Sequence, residues 1–187
     1  MSFMTHKIFQ IFLKNKNKSL DLLVFIAGLL TPLGFAPFDF WPIPIITLAV
    51  LLFSLDNQNT SPTRSLYRGF IFGLGFFGVG ISWVYISIHD YGGANLCLAL
   101  LITGCFISYL ALYPALTCYA YQKFFKSNLL LKTVFIFPAF WVISELLRSY
   151  LFTGFPWLDL GYSGINSPYA GMAPLWGVYG VSLCILI

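Results

Sequence analysis

The sequence has 187 residues, of which 59% are hydrophobic and only 9% are charged, and its mean hydropathy is +0.84. A soluble domain carries about 25% charged residues, so this composition excludes a water-exposed globular protein and predicts an integral membrane protein. The net charge of +4 comes from short basic clusters between apolar runs, which is typical of membrane-protein loops and not of a nucleic-acid-binding surface.

The amino terminus precedes the first apolar run and is basic, with four lysines in residues 1–19. A basic head followed by an apolar stretch is also the pattern of a cleaved signal peptide. Because Pro37 directly follows the small residues Gly34 and Ala36, and more apolar runs come later, an uncleaved helix is favoured. We therefore expect a basic cytoplasmic segment, 1–19, and a first membrane span over about 20–35.

The later apolar runs predict five further spans. They lie over about 43–55, 66–88, 96–121, 133–152 and 170–187. The first two of the six spans are shorter than the roughly twenty residues of a full crossing, so we expect them to be short or tilted. The last span is still apolar at Ile187, so we expect it to be truncated. The predicted fold class is all-α integral membrane, a polytopic bundle of about six transmembrane helices.

The third predicted span is rich in glycine. Gly69, Gly73 and Gly80 fall on one helical face, whereas Gly75 and Gly78 fall on another. Small residues at this spacing let helix backbones approach closely inside a membrane. The run from Gly73 to Gly78 also matches G-x-G-x-x-G, but that motif binds dinucleotides only between a strand and a helix. Helix packing is therefore the favoured interpretation. In the fourth span, a kink is expected at Pro114.

Positive charge predicts the orientation of the helices. With a cytoplasmic amino terminus, nine of the ten basic residues lie on the inner side: Lys7, Lys14, Lys16, Lys18, Arg64, Arg68, Lys123, Lys126 and Lys132. Arg148 alone is left at the other side. The positive-inside rule then places the turn near Trp41, the polar turn at His89 and the stretch Thr153–Tyr162 together on the outer face.

Few residues have the spacing that catalysis or metal binding requires. His89 and Asp90 are adjacent, but His6 is predicted on the opposite side of the membrane, so a solvated turn is favoured over a metal site. The four cysteines lie in apolar runs, and their spacings match no zinc or redox motif. The sequence contains neither G-x-S-x-G nor H-E-x-x-H. We predict no cofactor, no metal site and no catalytic residue in this chain.

The stretch Thr153–Tyr162 is the strongest candidate site. Its glycines and its proline prevent a helix, and its aromatic side chains suit a membrane interface. Shortly before it, Glu145 and Arg148 stand at i, i+3 on one helix face. One interpretation is an interfacial anchor next to a mutual ion pair; the other is a substrate site in which Arg148 holds a phospholipid phosphate. The candidate substrate-binding residues are Glu145, Arg148, Trp157 and Tyr162.

Several segments of the sequence resemble one known family. In chain order they read LGFAPFDFWP from Leu33, GISWVYISI from Gly80, PAFW from Pro138, ELLR from Glu145, TGFPWL from Thr153, GYS from Gly161 and GMAP from Gly171. On these segments the chain resembles the amino-terminal membrane portion of bacterial apolipoprotein N-acyltransferases, from about Leu20 to Gly180.

The resemblance implies a reaction that transfers an acyl chain from a phospholipid to the N-terminal diacylglyceryl-cysteine of a lipoprotein. Members of this family have eight membrane helices and a periplasmic nitrilase-like domain, which holds a nucleophilic cysteine, a glutamate base and a lysine. None of the four cysteines here matches that nucleophile. We therefore expect this chain to be the membrane half of such an enzyme, truncated or encoded as a fragment, and inactive alone.

The resemblance also implies partners and a location. The partners are the phospholipid bilayer, a phospholipid acyl donor, a lipoprotein acceptor and, where the gene is split, a separately encoded nitrilase-like half. The location is the bacterial inner membrane, with a multi-pass arrangement. On this basis Arg148 and the loop around Trp157 are expected to help seat the lipid or the lipoprotein. The alternatives are a non-enzymatic module that binds lipid or a partner, and a gene remnant. A small transporter is disfavoured because inverted repeats and mid-membrane charges are lacking.

Overall fold

The computed structural model describes residues 17–56, 60–124 and 128–187, and most of them are helical. This confirms the all-α membrane fold class. In chain order the helices are α1 (17–30), α2 (Pro42–Leu55), α3 (Pro62–Gly80), α4 (Trp83–Tyr91), α5 (Leu96–Phe124), α6 (Leu129–Thr153) and α7 (Ala173–Leu186). The predicted basic segment 1–19 falls mostly on residues 1–16, which lie outside the described residues, as does Lys126.

Within the described ranges, three helical segments are long and apolar enough to cross a membrane: α5, α6 and the segment Pro168–Leu186, which joins a short 3-10 turn to α7. Helices α3 and α4 would make a fourth crossing if they are counted as one bent span. Helix α2 has 14 residues, so it is about 21 Å long and shorter than the roughly 30 Å of a bilayer core.

Helix α3 packs between α5 and α1 through two glycine faces. A Cβ atom added to Gly69 would lie 2.5 Å from the carbonyl oxygen of Pro114, and Gly73 also faces α5. On another side of α3, a Cβ atom added to Gly75 would lie 2.8 Å from the carbonyl oxygen of Phe25 in α1. Backbones approach this closely only where side chains are missing, as packing inside a membrane favours. The two faces are therefore both used, each for a different neighbour.

Gly80 meets a loop and not a helix. A Cβ atom there would lie 2.2 Å from Leu158 Cδ1, because the Leu158 side chain fills the space beside Gly80. The chain leaves the helical conformation at Ile81 (φ −123°, ψ 18°), and α4 then departs at an angle of 55° to α3. The predicted third span, 66–88, is therefore two helices joined by a bend.

The fourth and sixth predicted spans also differ in detail. Helix α5 continues from Leu96 to Phe124 through Pro114, whose carbonyl packs on α3. Helix α7 is interrupted at Gly177, which has φ 64° and ψ −170°. A positive φ of this size suits glycine, so the interruption is built into the sequence.

A polar cluster ties three helices together at the basic end of the bundle. Arg68 of α3 is fully buried; it pairs with Asp21 of α1 over 3.1 Å and donates to the carbonyl oxygen of Ser54 in α2. Arg64 also pairs with Asp21. A buried charge is tolerated only where it is paired and hydrogen-bonded, and this one has both kinds of partner.

Aromatic contacts mark the other end of the bundle. The rings of Trp83 and Trp157 lie 5.4 Å apart, and those of Trp41 and Tyr169 lie 6.1 Å apart. Aromatic side chains of this kind prefer the membrane interface. The bundle therefore has a basic end and an aromatic end, as the charge distribution predicts. Which end faces the cytoplasm stays a prediction.

Substituting Gly69 tests the packing of α3 on α5. We expect Gly69→Ala to lower the free energy of unfolding by about 1–3 kcal/mol, because the added methyl group overpacks a backbone contact. The measurement is thermal unfolding of the detergent-solubilised chain. Gly78→Ala is the matched control, since a Cβ atom at Gly78 meets nothing within 4 Å among the described residues. Equal effects of the two substitutions would show that this contact does not limit packing.

Candidate functional site

Helix α6 supplies the two charged residues of the site, Glu145 and Arg148. They are one helical turn apart, and each is only 3% exposed. Leu147, which lies between them in the sequence, is exposed on another side of the helix, where a membrane helix contacts lipid. Both charges therefore face the interior of the bundle, where each of them needs a polar partner.

Arg148 is bonded to the loop that follows α6. Its Nη1 donates to the carbonyl oxygens of Phe155, over 3.1 Å, and of Trp157. Its Nη2 pairs with Asp159 Oδ1 over 2.5 Å. The expected ion pair between Glu145 and Arg148 is thus wrong, because the loop brings a different carboxylate directly onto the guanidinium.

Glu145 has backbone and indole partners instead. Its Oε1 accepts from Trp141 Nε1 over 3.0 Å and from the backbone N–H of Leu160 over 2.7 Å. The next N–H, that of Gly161, donates to Ser182 Oγ of α7 over 2.7 Å. Two helices therefore satisfy successive N–H groups of the loop, which matters where water is scarce.

The backbone at the end of α6 and in the loop takes conformations that most residues avoid. Phe152, Thr153 and Leu158 have φ values of 52°, 73° and 63°. Each such residue costs about 1–3 kcal/mol and persists only where the surroundings hold it. At Gly154 (φ 81°) a side chain is excluded, because a Cβ atom would lie 2.0 Å from the carbonyl oxygen of Ser149. The hydrogen bonds and the ion pair of Arg148 reach Phe155, Trp157 and Asp159, and so hold this strained backbone in place.

Two of the predicted site residues are accessible. Trp157 and Tyr162 are 50% and 49% exposed, and the Trp157 ring packs on Trp83 of α4. The structure therefore divides the four candidates into a buried pair beneath the loop and an exposed aromatic pair on it. Whether any of them binds substrate stays a prediction.

Asp159 is the site residue that the sequence-based site prediction omits. Its side chain is fully buried against Arg148. Burial raises the pKa of the Asp159 carboxyl above its ordinary value, and the guanidinium of Arg148 acts in the opposite direction. The available signal was charge complementarity, since an acidic residue follows the basic one by 11 positions in a loop that turns back toward α6.

A small cavity of about 10 Å³ lies beside the buried pair, lined by Tyr113, Ser144, Glu145 and Arg148 among others. This is about the smallest space that holds one water molecule. A lipid headgroup cannot enter it in this arrangement. In this arrangement Glu145 and Arg148 therefore hold the loop and its aromatic side chains in place.

The bond between Arg148 and Asp159 can be tested by substitution. Arg148→Ala is expected to lower the free energy of unfolding by about 3–5 kcal/mol, because it leaves the Asp159 charge buried without its partner. The measurement is thermal unfolding in detergent, with proteolysis of the loop as a second readout. The double variant Arg148→Met/Asp159→Leu is the control and should be less destabilised, since it removes both charges. A double variant that is as unstable as the single one would contradict this assignment.

Comparison with known proteins places this architecture in a family. Residues 27–187 match the family model described as the apolipoprotein N-acyltransferase N-terminal domain. Among relatives called apolipoprotein N-acyltransferase, that of Coxiella burnetii is 50% identical over 166 residues, covering 88% of this chain and 34% of the relative. Those of Vibrio vulnificus (46% identical, 86% and 31% covered) and Methylococcus capsulatus (42% identical, 89% and 32% covered) are similar in extent.

These comparisons agree with the resemblance seen in the sequence motifs. The chain spans about a third of the length of the curated relatives that it matches. The matched region, 27–187, includes α2 to α7 together with the loop that Arg148 and Glu145 hold. The chain belongs to the apolipoprotein N-acyltransferase N-terminal domain family.

Proposed function

We propose that this chain is the membrane-embedded part of an enzyme that transfers an acyl chain from a phospholipid to the N-terminal diacylglyceryl-cysteine of lipoproteins. The observation that carries the proposal is the family match over residues 27–187, on a bundle of apolar helices. In this proposal the bundle lies in the bacterial inner membrane with its basic end toward the cytoplasm. Positive charge at that end supports the orientation.

The proposed contribution of this part is a platform for the substrates. All four cysteines of the chain lie inside helices, at Cys97, Cys105 and Cys118 of α5 and Cys184 of α7. None of them is on the loop between α6 and α7. As the family resemblance implies, a thioester mechanism would use a nucleophile in a nitrilase-like part, and in this proposal the chain alone would not transfer the acyl group.

The loop is the proposed contact with substrate. Trp157 and Tyr162 are half-exposed at the aromatic end, where a lipid glycerol or a lipoprotein terminus would arrive. Glu145 and Arg148 are positioning residues in this proposal, since they act through the loop backbone. A rigid platform reduces the entropy lost when a substrate is oriented for reaction.

A chimeric enzyme tests the proposed function. Residues 27–187 of this chain replace the matching region of the Coxiella burnetii relative, and purified chimera is given phospholipid and a diacylglyceryl peptide. We expect a peptide heavier by one acyl chain, because the platform supplies the same contacts. Mass spectrometry of the peptide is the measurement.

The parent relative serves as positive control, and this chain alone serves as negative control. A chimera that inserts at the abundance of the parent but never acylates the peptide would contradict the proposed function. Acylation by this chain alone would contradict the assignment of the chemistry to another part.

The role of Trp157 is tested in the same chimera. We expect Trp157→Ala to lower kcat/KM by about tenfold, which corresponds to about 1.4 kcal/mol of lost transition-state binding. Unfolding temperature should fall less than in Arg148→Ala, since half of the Trp157 side chain is exposed and its lost contact with Trp83 leaves no buried charge unpaired. Tyr150→Ala is the matched control, because Tyr150 is also an exposed aromatic residue near that end but precedes the loop. Equal losses in both variants would remove Trp157 from the substrate contact.

A further inference from the structure

A groove of about 360 Å³ runs between α5 and α6 and ends at Phe152, next to the loop. Its walls are mostly apolar and half-exposed, with Leu112 and Leu116 on α5 and Ile143 and Leu147 on α6. Both helices are long and apolar enough to cross a membrane. The groove therefore opens toward hydrocarbon and not toward water.

The depth of the groove follows from helix geometry. From Lys132 to Tyr150, α6 rises about 27 Å, which is close to the thickness of a bilayer core, and Phe152 follows two residues later. Phe152 thus marks the interface opposite the lysines. The groove extends along α6 from Phe152 to Phe140, about 18 Å, and so reaches from that interface to just past the bilayer centre. This is about the depth of one leaflet.

A groove of this kind is filled in a membrane. An empty one loses the dispersion contacts of its walls, and water needs several polar partners that these leucine and isoleucine side chains do not provide. A hydrocarbon chain that descends from the Phe152 interface has the direction, length and chemistry of the space. The surrounding leaflet consists of such chains.

One polar feature stands at the Phe152 end. The hydroxyl groups of Tyr109 and Tyr113 lie 2.5 Å apart, and the Tyr109 ring packs on Phe152 at 5.8 Å. A mutual hydrogen bond uses one of the two hydroxyl hydrogens, so the other is available to a further acceptor. An ester carbonyl is such an acceptor, and in a phospholipid it stands at the interface end of the acyl chain.

We propose that the groove between α5 and α6 binds one ester-linked acyl chain of a phospholipid from the leaflet opposite Lys132. The ester carbonyl accepts a hydrogen bond from the Tyr109–Tyr113 pair, and the chain lies between Leu116 and Leu147. The lipid is a bound ligand, and no bond is made or broken. The inference goes beyond the proposed function because it requires no acyl transfer.

Photo-crosslinking tests the site. The full chain is reconstituted in phosphatidylcholine vesicles that contain a phospholipid with a diazirine in one acyl chain, and adducts are mapped by mass spectrometry. We expect more adducts on the groove helices than on the lipid-exposed face of α2 around Ile46. Equal labelling of the two surfaces overturns the proposal, and so does labelling by a diazirine fatty acid but not by the phospholipid.

Two neighbouring residues of α6 provide matched variants. Leu147 lines the groove and is 48% exposed, whereas Leu146 is 36% exposed and lies outside the residues that line it. Leu147→Trp should reduce groove adducts to the level of α2, because the indole occupies the space. Leu146→Trp should leave them unchanged. Unaltered adducts at Ile46 show in each case that the bundle is intact, and equal losses in both variants overturn the proposal.

The ester contact has its own comparison. The parent chain should be labelled more by an ester-linked than by an ether-linked diazirine phospholipid, because only the ester has the carbonyl. Tyr109→Phe/Tyr113→Phe should abolish that difference while adducts remain in the groove. If the parent chain does not distinguish the two probes, the proposed hydrogen bond is overturned.

Discussion

The bond network of Arg148 is the interaction on which the outer loop depends. One guanidinium on a helix binds two carbonyl oxygens and the carboxylate of Asp159 within five residues of loop. A buried ion pair seldom adds net stability, because the cost of desolvating both charges offsets their attraction. Its value here is geometric. The planar fork of arginine binds acceptors in fixed directions, so it selects one course for the stretch from Phe152 to Leu158, in which four residues have positive φ.

The same constraint extends to the shape of the bundle. Because Arg148 holds the loop against α6, Leu158 is placed beside Gly80, and α3 ends there. Trp157 is placed on Trp83 of the departing α4. The bend between α3 and α4 and the course of the loop are thus two parts of one packing arrangement. A membrane requires such an arrangement, since irregular backbone is tolerated there only where protein groups satisfy its N–H and carbonyl groups.

The sequence predicts the helical fold class but not the bends of the helices or the course of the loop, for a physical reason. Hydropathy reports the surrounding medium residue by residue, so the apolar run from Leu96 was recognisable as a helix, and it is α5. The two glycine faces of α3 can also be predicted, since helical periodicity alone shows which glycines lie on the same side of a helix. The ion-pair partner of Arg148 cannot be predicted in this way. Glu145 was the near candidate on the helix, but the actual partner, Asp159, depends on a loop conformation that no periodicity encodes.

Burial separates the roles of the candidate residues more sharply than residue type does. In water a buried charge and an exposed aromatic ring would both be unusual, but in a bilayer the exposed surface is apolar by default. Polar groups are therefore informative when they face inward, as Glu145 and Arg148 do, and again when a largely buried pair lines an apolar groove, as Tyr109 and Tyr113 do. The first pair has its partners within the protein. The second pair retains a donor hydrogen beside the apolar groove between α5 and α6, and for this reason we seek its remaining partner in the membrane.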